Sequence, residues 1–142
     1  VVIRQNLGIL AITLIFAVSI NQAFAVNQLE RVDITNPRLQ NSSGAEISDQ
    51  VNVNQQVQIS ADVKNNQEKA QKFVYIVQVK DQYGAVVSLS WIGGSLNPQQ
   101  TFSPSLSWTP KVSGVYSTEI YVWESFVQPD ALTNFVTMKI TS

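Results

Sequence analysis

The stretch Phe102 to Trp123, FSPSLSWTPKVSGVYSTEIYVW, decides how the rest of the chain is read. Its first part runs as a strand to Trp108. Thr109-Pro110-Lys111-Val112-Ser113-Gly114 follows with turn chemistry, a Pro that fixes φ and a Gly that has no Cβ. A second strand extends from Val115 to Trp123. Strand side chains alternate between faces, so Tyr116, Thr118, Ile120 and Val122 point one way, and Ser117, Glu119, Tyr121 and Trp123 the other. A strand, a tight turn and a returning strand are the unit of an antiparallel sheet.

The same grammar covers the chain on either side. Leu29 to Thr35 alternates and is expected to stop at the turn opener Asn36-Pro37. Arg38 to Gln50 is polar and reads as a loop or irregular edge. Val57 to Lys64 places Val57, Ile59, Ala61 and Val63 inward against polar alternates, the pattern of a half-buried antiparallel strand. Phe73 to Lys80 is the most apolar run, and Gln78 and Lys80 set its parity: Phe73, Tyr75, Val77 and Val79 face in. Asp81-Gln82-Tyr83-Gly84 makes a hairpin loop, and Ala85 to Trp91 returns with Val87, Leu89 and Trp91 on one, core-facing side. Gly93-Gly94 and Asn97-Pro98 mark further turns. Glu124 to Asp130 reads as a polar loop, and Thr133 to Thr141 as a last strand with Val136, Met138 and Ile140 inward and Phe135, Thr137 and Lys139 outward. About seven strands without helical periodicity after residue 26 define an all-β chain, an immunoglobulin-like antiparallel β-sandwich over residues 26–142.

Residues 1–25, VVIRQNLGILAITLIFAVSINQAFA, differ in kind. One charge, Arg4, precedes an apolar run from Leu7 to Ile20 and the small-residue pattern Ala23-Phe24-Ala25, which together describe a secretory signal peptide cleaved after Ala25. The run is shorter than the ~20 apolar residues of a membrane span. The alternative is a retained apolar helix under a β-rich head, as in pilin-like filament subunits, and that segment is then the chain's one route to a membrane.

Composition excludes whole classes of chemistry. The 142 residues suffice for one core, and 9 basic residues against 10 acidic give no basic patch for nucleic acid. There is no Cys, hence no disulfide framework, thiolate nucleophile or Cys-ligated metal; there is no His, hence no customary general base or imidazole ligand. A copper-binding sandwich of this size needs both. No enzyme activity, cofactor or metal is expected. Glu119 and Glu124 stand an odd number of residues apart and so point to opposite faces of a strand, which removes them as an acid pair. Asp81 is one carboxylate at a hairpin, fitting turn chemistry better than calcium.

The pieces VQISADVKNNQ, FVYIVQVKDQYGAVVSLSW, LNPQQTFSPSLSWTP and SGVYSTEIYVWES, spanning Val57 to Ile140, resemble the Ig-like domains of secreted prokaryotic, particularly archaeal, proteins, of CARDB-like and fibronectin type III-like kind. Gly114-x-Tyr116-x-Thr118 resembles the tyrosine corner of immunoglobulin domains, with Thr118 where antibody domains carry a Cys. The resemblance implies a sandwich in an extracellular or cell-surface setting, and it carries no catalytic residues. Asn41-Ser42-Ser43 fits the glycosylation acceptor pattern.

Two tryptophans, Trp91 and Trp108, have the look of a sugar-stacking platform, but their strand parity makes both core residues, so a carbohydrate partner is a lesser alternative. Ile92-Gly93-Gly94 and Val127-Gln128-Pro129 fall where the loops of Ig-type protease inhibitors lie. The sharper expectation comes from outward parity. Val74, Ile76, Tyr121, Trp123 and Phe135 converge on the outer face of one sheet, an interaction face for self-association or a protein partner, unless Arg38–Gln50 or the N-terminal segment covers it. The functional expectation is thus a secreted, non-catalytic adhesion or assembly module.

Overall fold

The computed structural model describes residues 26–142, and among them all regular structure is β. The expected leader, or retained helix, of residues 1–25 lies outside the described residues. The strands are β1 (Val32–Gln40), β2 (Glu46–Ile47), β3 (Val57–Asn65), β4 (Gln71–Lys80), β5 (Val86–Leu96), β6 (Thr101–Phe102), β7 (Ser105–Trp108), β8 (Val115–Trp123) and β9 (Val136–Thr141). One sheet runs β2-β1-β3-β6 with β7 also on β3; the other runs β5-β4-β8-β9. Every ladder is antiparallel.

The core between the sheets follows the alternation of the strands that line it. Val57, Ile59, Ala61 and Val63 of β3 meet Phe73, Tyr75, Val77 and Val79 of β4 and Tyr116, Ile120 and Val122 of β8, all buried. The Tyr116 hydroxyl donates to the Val112 carbonyl oxygen four residues upstream, which is the tyrosine-corner bond. Its ring meets Trp108 edge-on, with centroids 4.9 Å apart. Thr118 is fully buried in the half-cystine position of antibody domains, and its Oγ1 has no hydrogen-bond partner among the described residues.

Three strand readings change. Asn36-Pro37 does not end β1: the strand runs through it, slipping by one residue between Thr35 and Arg38 where Asn36 takes φ +52°. Asp62 pins that bulge, accepting hydrogen bonds from Arg38, Asn36 and Ser103. The expected loop Arg38–Gln50 therefore contributes Leu39 to the core and β2 to the far sheet, away from the proposed face. Gly93-Gly94 is no turn either, since β5 continues to Leu96 and turns at Asn97-Pro98. Trp91, expected in the core, is 56% exposed, and Leu89 is exposed with it. Both lie on the outer side of β5, because Trp91 pairs with Ile76 and Leu89 with Gln78 rather than with core-facing residues of β4.

Candidate interaction face

The outer surface of the β5-β4-β8-β9 sheet is assembled by cross-strand register. Ile76 on β4 stands between Trp91 of β5 and Tyr121 of β8, and Val74 between Gly93 and Trp123. Phe135, one residue before β9 begins, stacks on Tyr121 with centroids 5.0 Å apart. Tyr121 also meets Trp123 edge-on at 6.0 Å, and across the sheet Trp91 meets Phe126 in a T-shaped pair at 5.4 Å. The rings form a floor and a rim. Val74 and Ile76 are buried beneath them, Tyr121 and Trp123 are half-buried, and Trp91, Phe126 and Phe135 each remain more than half exposed.

The five residues expected on this face thus share it, at different depths. Val74 and Ile76 are not contact residues in themselves: they are covered by their neighbours' rings, which makes β4 buried on both sides. Trp91 and Phe126 complete the rim and were not expected there. Phe126, with the 92% exposed Val127, sits in the loop after β8 that reads as polar from its Glu124, Ser125, Gln128 and Asp130. The usable signal was the unbroken apolar run Phe73–Val77, since a strand apolar on both faces needs cover on both.

One edge of the rim is polar and organised by Glu119. Its carboxylate accepts hydrogen bonds from the Gln78 amide (2.9 Å), the Lys80 ammonium (2.9 Å) and the Tyr121 hydroxyl (2.6 Å). The Lys80 bond, then that of Tyr121, holds Glu119 below the usual carboxylate range despite its desolvation. Burial and the acceptor Glu119 push the Tyr121 phenol up to about 12. At neutral pH the group is a fixed carboxylate under a fixed hydroxyl. Such an arrangement sets ring orientation and offers no general base, because every oxygen of Glu119 is engaged with a donor. Glu124 points elsewhere, pairing with Arg31 at 3.4 Å, so the two glutamates do not converge.

The remaining candidates resolve locally. Asp81 Oδ1 accepts from the Tyr83 and Ala85 amides, closing the β4–β5 turn. Ile92-Gly93-Gly94 lies within β5 and is not a loop, while Val127-Gln128-Pro129 does lie in one. Trp108 is buried against Tyr116, and Gly114 joins the chain end through reciprocal backbone bonds with Ser142. Asn41 Oδ1 caps its own turn through the Ser43 and Ala45 amides. Among the described residues no three His, Cys, Asp or Glu side chains gather to hold a metal, and no helix is long and apolar enough to cross a membrane.

The two antiparallel sheets define an immunoglobulin-like β-sandwich. The chain belongs to the S-layer A-like family, whose model matches residues 1–132. An S-layer-like family points to a cell-surface or extracellular protein. No curated protein matches it in sequence. Among solved structures it is similar to a CARDB domain from Pyrococcus furiosus, determined in complex with di-metal ions, at 20% identity over 82% of this chain and 93% of that one, with a TM-score of 0.53. It is also similar to the C-terminal domain of wzt, at 15% identity over 77% of this chain and 67% of that one, with a TM-score of 0.59. A Paenibacillus cycloisomaltooligosaccharide glucanotransferase contains a similar domain, at 17% identity and a TM-score of 0.60. The chain covers 77% of its own length in that match but spans only 14% of the enzyme. Likeness at these identities is likeness of fold alone.

Proposed function

We propose that this domain is an exported building module of a cell-surface layer that holds neighbouring protein subunits through the aromatic outer face of the β5-β4-β8-β9 sheet. The observation that carries the reading is the rim of Trp91, Phe126 and Phe135, more than half exposed around a dry floor of Val74 and Ile76. Exposing such rings to water is unfavourable, and aromatic residues with a polar border make the energetic centres of protein interfaces. The leader is removed between Ala25 and Val26, so that the subunit is deployed outside the cell; an N-terminus before Leu7 on the native protein would instead favour the filament form with a retained helix.

The test is Phe126→Ser combined with Phe135→Ser, which strips two rim rings and leaves every strand intact. Assembly of the purified protein, followed by light scattering and electron microscopy, should be lost while thermal unfolding stays cooperative. Assembly at the wild-type level would refute the reading. The exposed Trp91 ring also favours a second reading, stacking against a sugar. Quenching or shift of tryptophan fluorescence by oligosaccharides, abolished in Trp91→Ala, would support that reading; its absence across neutral and acidic glycans would end it.

A further inference from the structure

We propose that β5 is a homodimerisation edge, on which two copies pair antiparallel about a twofold axis through Trp91 and join their two β5-β4-β8-β9 sheets into one. This goes beyond the outer-face contact and does not depend on it.

The argument begins with what guards the sheet edges. Exposed edge strands present unpaired N–H and C=O groups, and soluble domains usually blunt them with charge, proline, bulges, short length or a covering segment. The opposite edge of this sheet is guarded. Strand β9 carries Lys139, and its end is capped by Asp49 and Val51, which bond the Thr141 backbone. The edge of the other sheet is short, with Pro104 between β6 and β7. Strand β5 has a bulge at Val87 near its start and none of these devices from Ser88 onward. It is the longest strand, 11 residues, its sequence VVSLSWIGGSL contains no charge and no proline, and only Leu96 is buried. Among the described residues nothing pairs with its outer side. A strand this apolar and this exposed is a template waiting for another strand.

Its sequence says which strand fits. Antiparallel pairing about Trp91 matches Ser88–Gly94, the regular run beyond the bulge at Val87, with itself. On the outer face Trp91 then meets the second Trp91, and Leu89 lies across from Gly93. On the core side Ile92 lies across from Ser90, and Ser88 from Gly94. Large residues face small ones at the two positions flanking the axis, Leu89 against Gly93 and Ile92 against Ser90, so the two copies interdigitate there. An axis through Ile92 would set Trp91 against Gly93 and forgo the contact between the two Trp91 rings. The Trp91 ring is already braced by Phe126, so little rotamer freedom is lost on pairing. A seven-residue antiparallel ladder supplies about seven backbone hydrogen bonds, within the range of a standard protein interface. The contact is isologous and closes on itself, which makes a dimer rather than an open fibre. It also places two aromatic rims side by side, doubling the face available to further neighbours.

The chain has no cysteine, so single cysteines report the register directly. Sedimentation velocity on the native chain should give twice the protomer mass, dissociating on dilution. Under mild oxidation Trp91→Cys should cross-link to itself. Ser90→Cys should link to Ile92→Cys when the two are mixed, and neither alone should link. Ser90→Lys, which puts a charge on the core side of the edge and off the aromatic rim, should return the protein to a monomer with unchanged circular dichroism. The proposal is overturned by a wild-type monomer at all concentrations, by Ile92→Cys linking to itself, by a dimer in which the Ser90 and Ile92 cysteines fail to link, or by a folded Ser90→Lys variant that still dimerises. Phe126→Ser with Phe135→Ser separates the two readings. If it loses higher assembly and keeps the dimer, both stand. If it keeps both, the outer-face reading falls and the edge remains. If it loses the dimer while β5 is untouched, the edge is overturned.

Discussion

Replacing Tyr116 by Phe removes one oxygen atom from the turn that joins β7 to β8, and the structure says what that oxygen is worth. The ring is 7% exposed and lies edge-on to Trp108 at 4.9 Å, and Phe keeps both features. What is lost is the hydroxyl's bond to the Val112 carbonyl. Val112 itself is 68% exposed, so water can take over its carbonyl, and the full cost of a stranded buried acceptor does not apply. The net value of an ordinary hydrogen bond remains, about 1 kcal/mol. For a domain of this size that corresponds to a fall of about 4–6 °C in Tm. Urea unfolding followed by tryptophan fluorescence reads it directly, with the slope m unchanged. Tyr116→Leu is the companion variant: it also removes the contact with Trp108 and should cost about 3 kcal/mol. A Tyr116→Phe loss below about 0.3 kcal/mol would mean the corner bond contributes nothing to holding the turn. Equal losses in the two variants would mean the ring has no separate role.

Asn65 is fully buried, and its amide donates to the backbone oxygens of Lys69, Leu96 and Asn97 while its Oδ1 accepts from the Gln67 amide. Asn65→Ala strands these groups and should cost about 3 kcal/mol in urea unfolding, a loss under about 1 arguing that water replaces the amide. Thr118→Val removes a buried hydroxyl that has no partner and should leave stability unchanged or raise it by about 1 kcal/mol; clear destabilisation would reveal a partner for Oγ1. Acid titration should expose Asp62 and Glu119. The Ser103 hydroxyl, then Arg38 and Asn36, lower Asp62 against desolvation, and Lys80 and Tyr121 lower Glu119. Their folded values lie below their unfolded ones, so the stability they add is full above the ordinary carboxylate range and disappears as pH falls through the lowered values. Asp62→Asn with Glu119→Gln should flatten Tm against pH below about 4, and an unchanged acid limb would place the acid sensitivity elsewhere.

Much of the sandwich was legible because its central strands obey a single rule. Strands β3, β4 and β8 each bury one complete set of alternate residues in the shared core, and the alternation in VQISADVK and VYSTEIYV gave the correct face without knowledge of their partners. The tyrosine corner was legible too, since Tyr116 and the turn it fastens are neighbours in sequence. Asn65 was not. Its sequence context, Asn65-Asn66-Gln67, is that of an exposed turn, and its role comes from carbonyls of Leu96 and Asn97 brought over from a distant turn. The outer face was half legible: parity placed Val74, Ile76, Tyr121, Trp123 and Phe135 on one side, but period-two reasoning does not say which members of a face cover the others.

The misplacement of Trp91 has one cause, a single residue. The turn closes with Asp81 bonded to Ala85, and the first pair beyond it is Lys80 with Val86. A regular ladder would continue with Val79 opposite Val87, then Val77 opposite Leu89 and Tyr75 opposite Trp91. In that register all three β5 residues would face the core, as the alternation of Val87, Leu89 and Trp91 suggests. The ladder instead resumes with Val79 opposite Ser88, leaving Val87 as an extra residue. One insertion exchanges the two faces of everything that follows. Ser88, Ser90, Ile92 and Gly94 turn to the core side, and Leu89 and Trp91 turn outward. The same device acts in β1, where the slip after Thr35 carries the strand through Asn36-Pro37 and returns Leu39 to the core. Bulges leave the composition of a strand unchanged and alter only its partners, so they are invisible to periodicity. Here the bulge at Val87 does more than bend an edge: it moves the chain's most exposed tryptophan from the core side of the strand to the outer face.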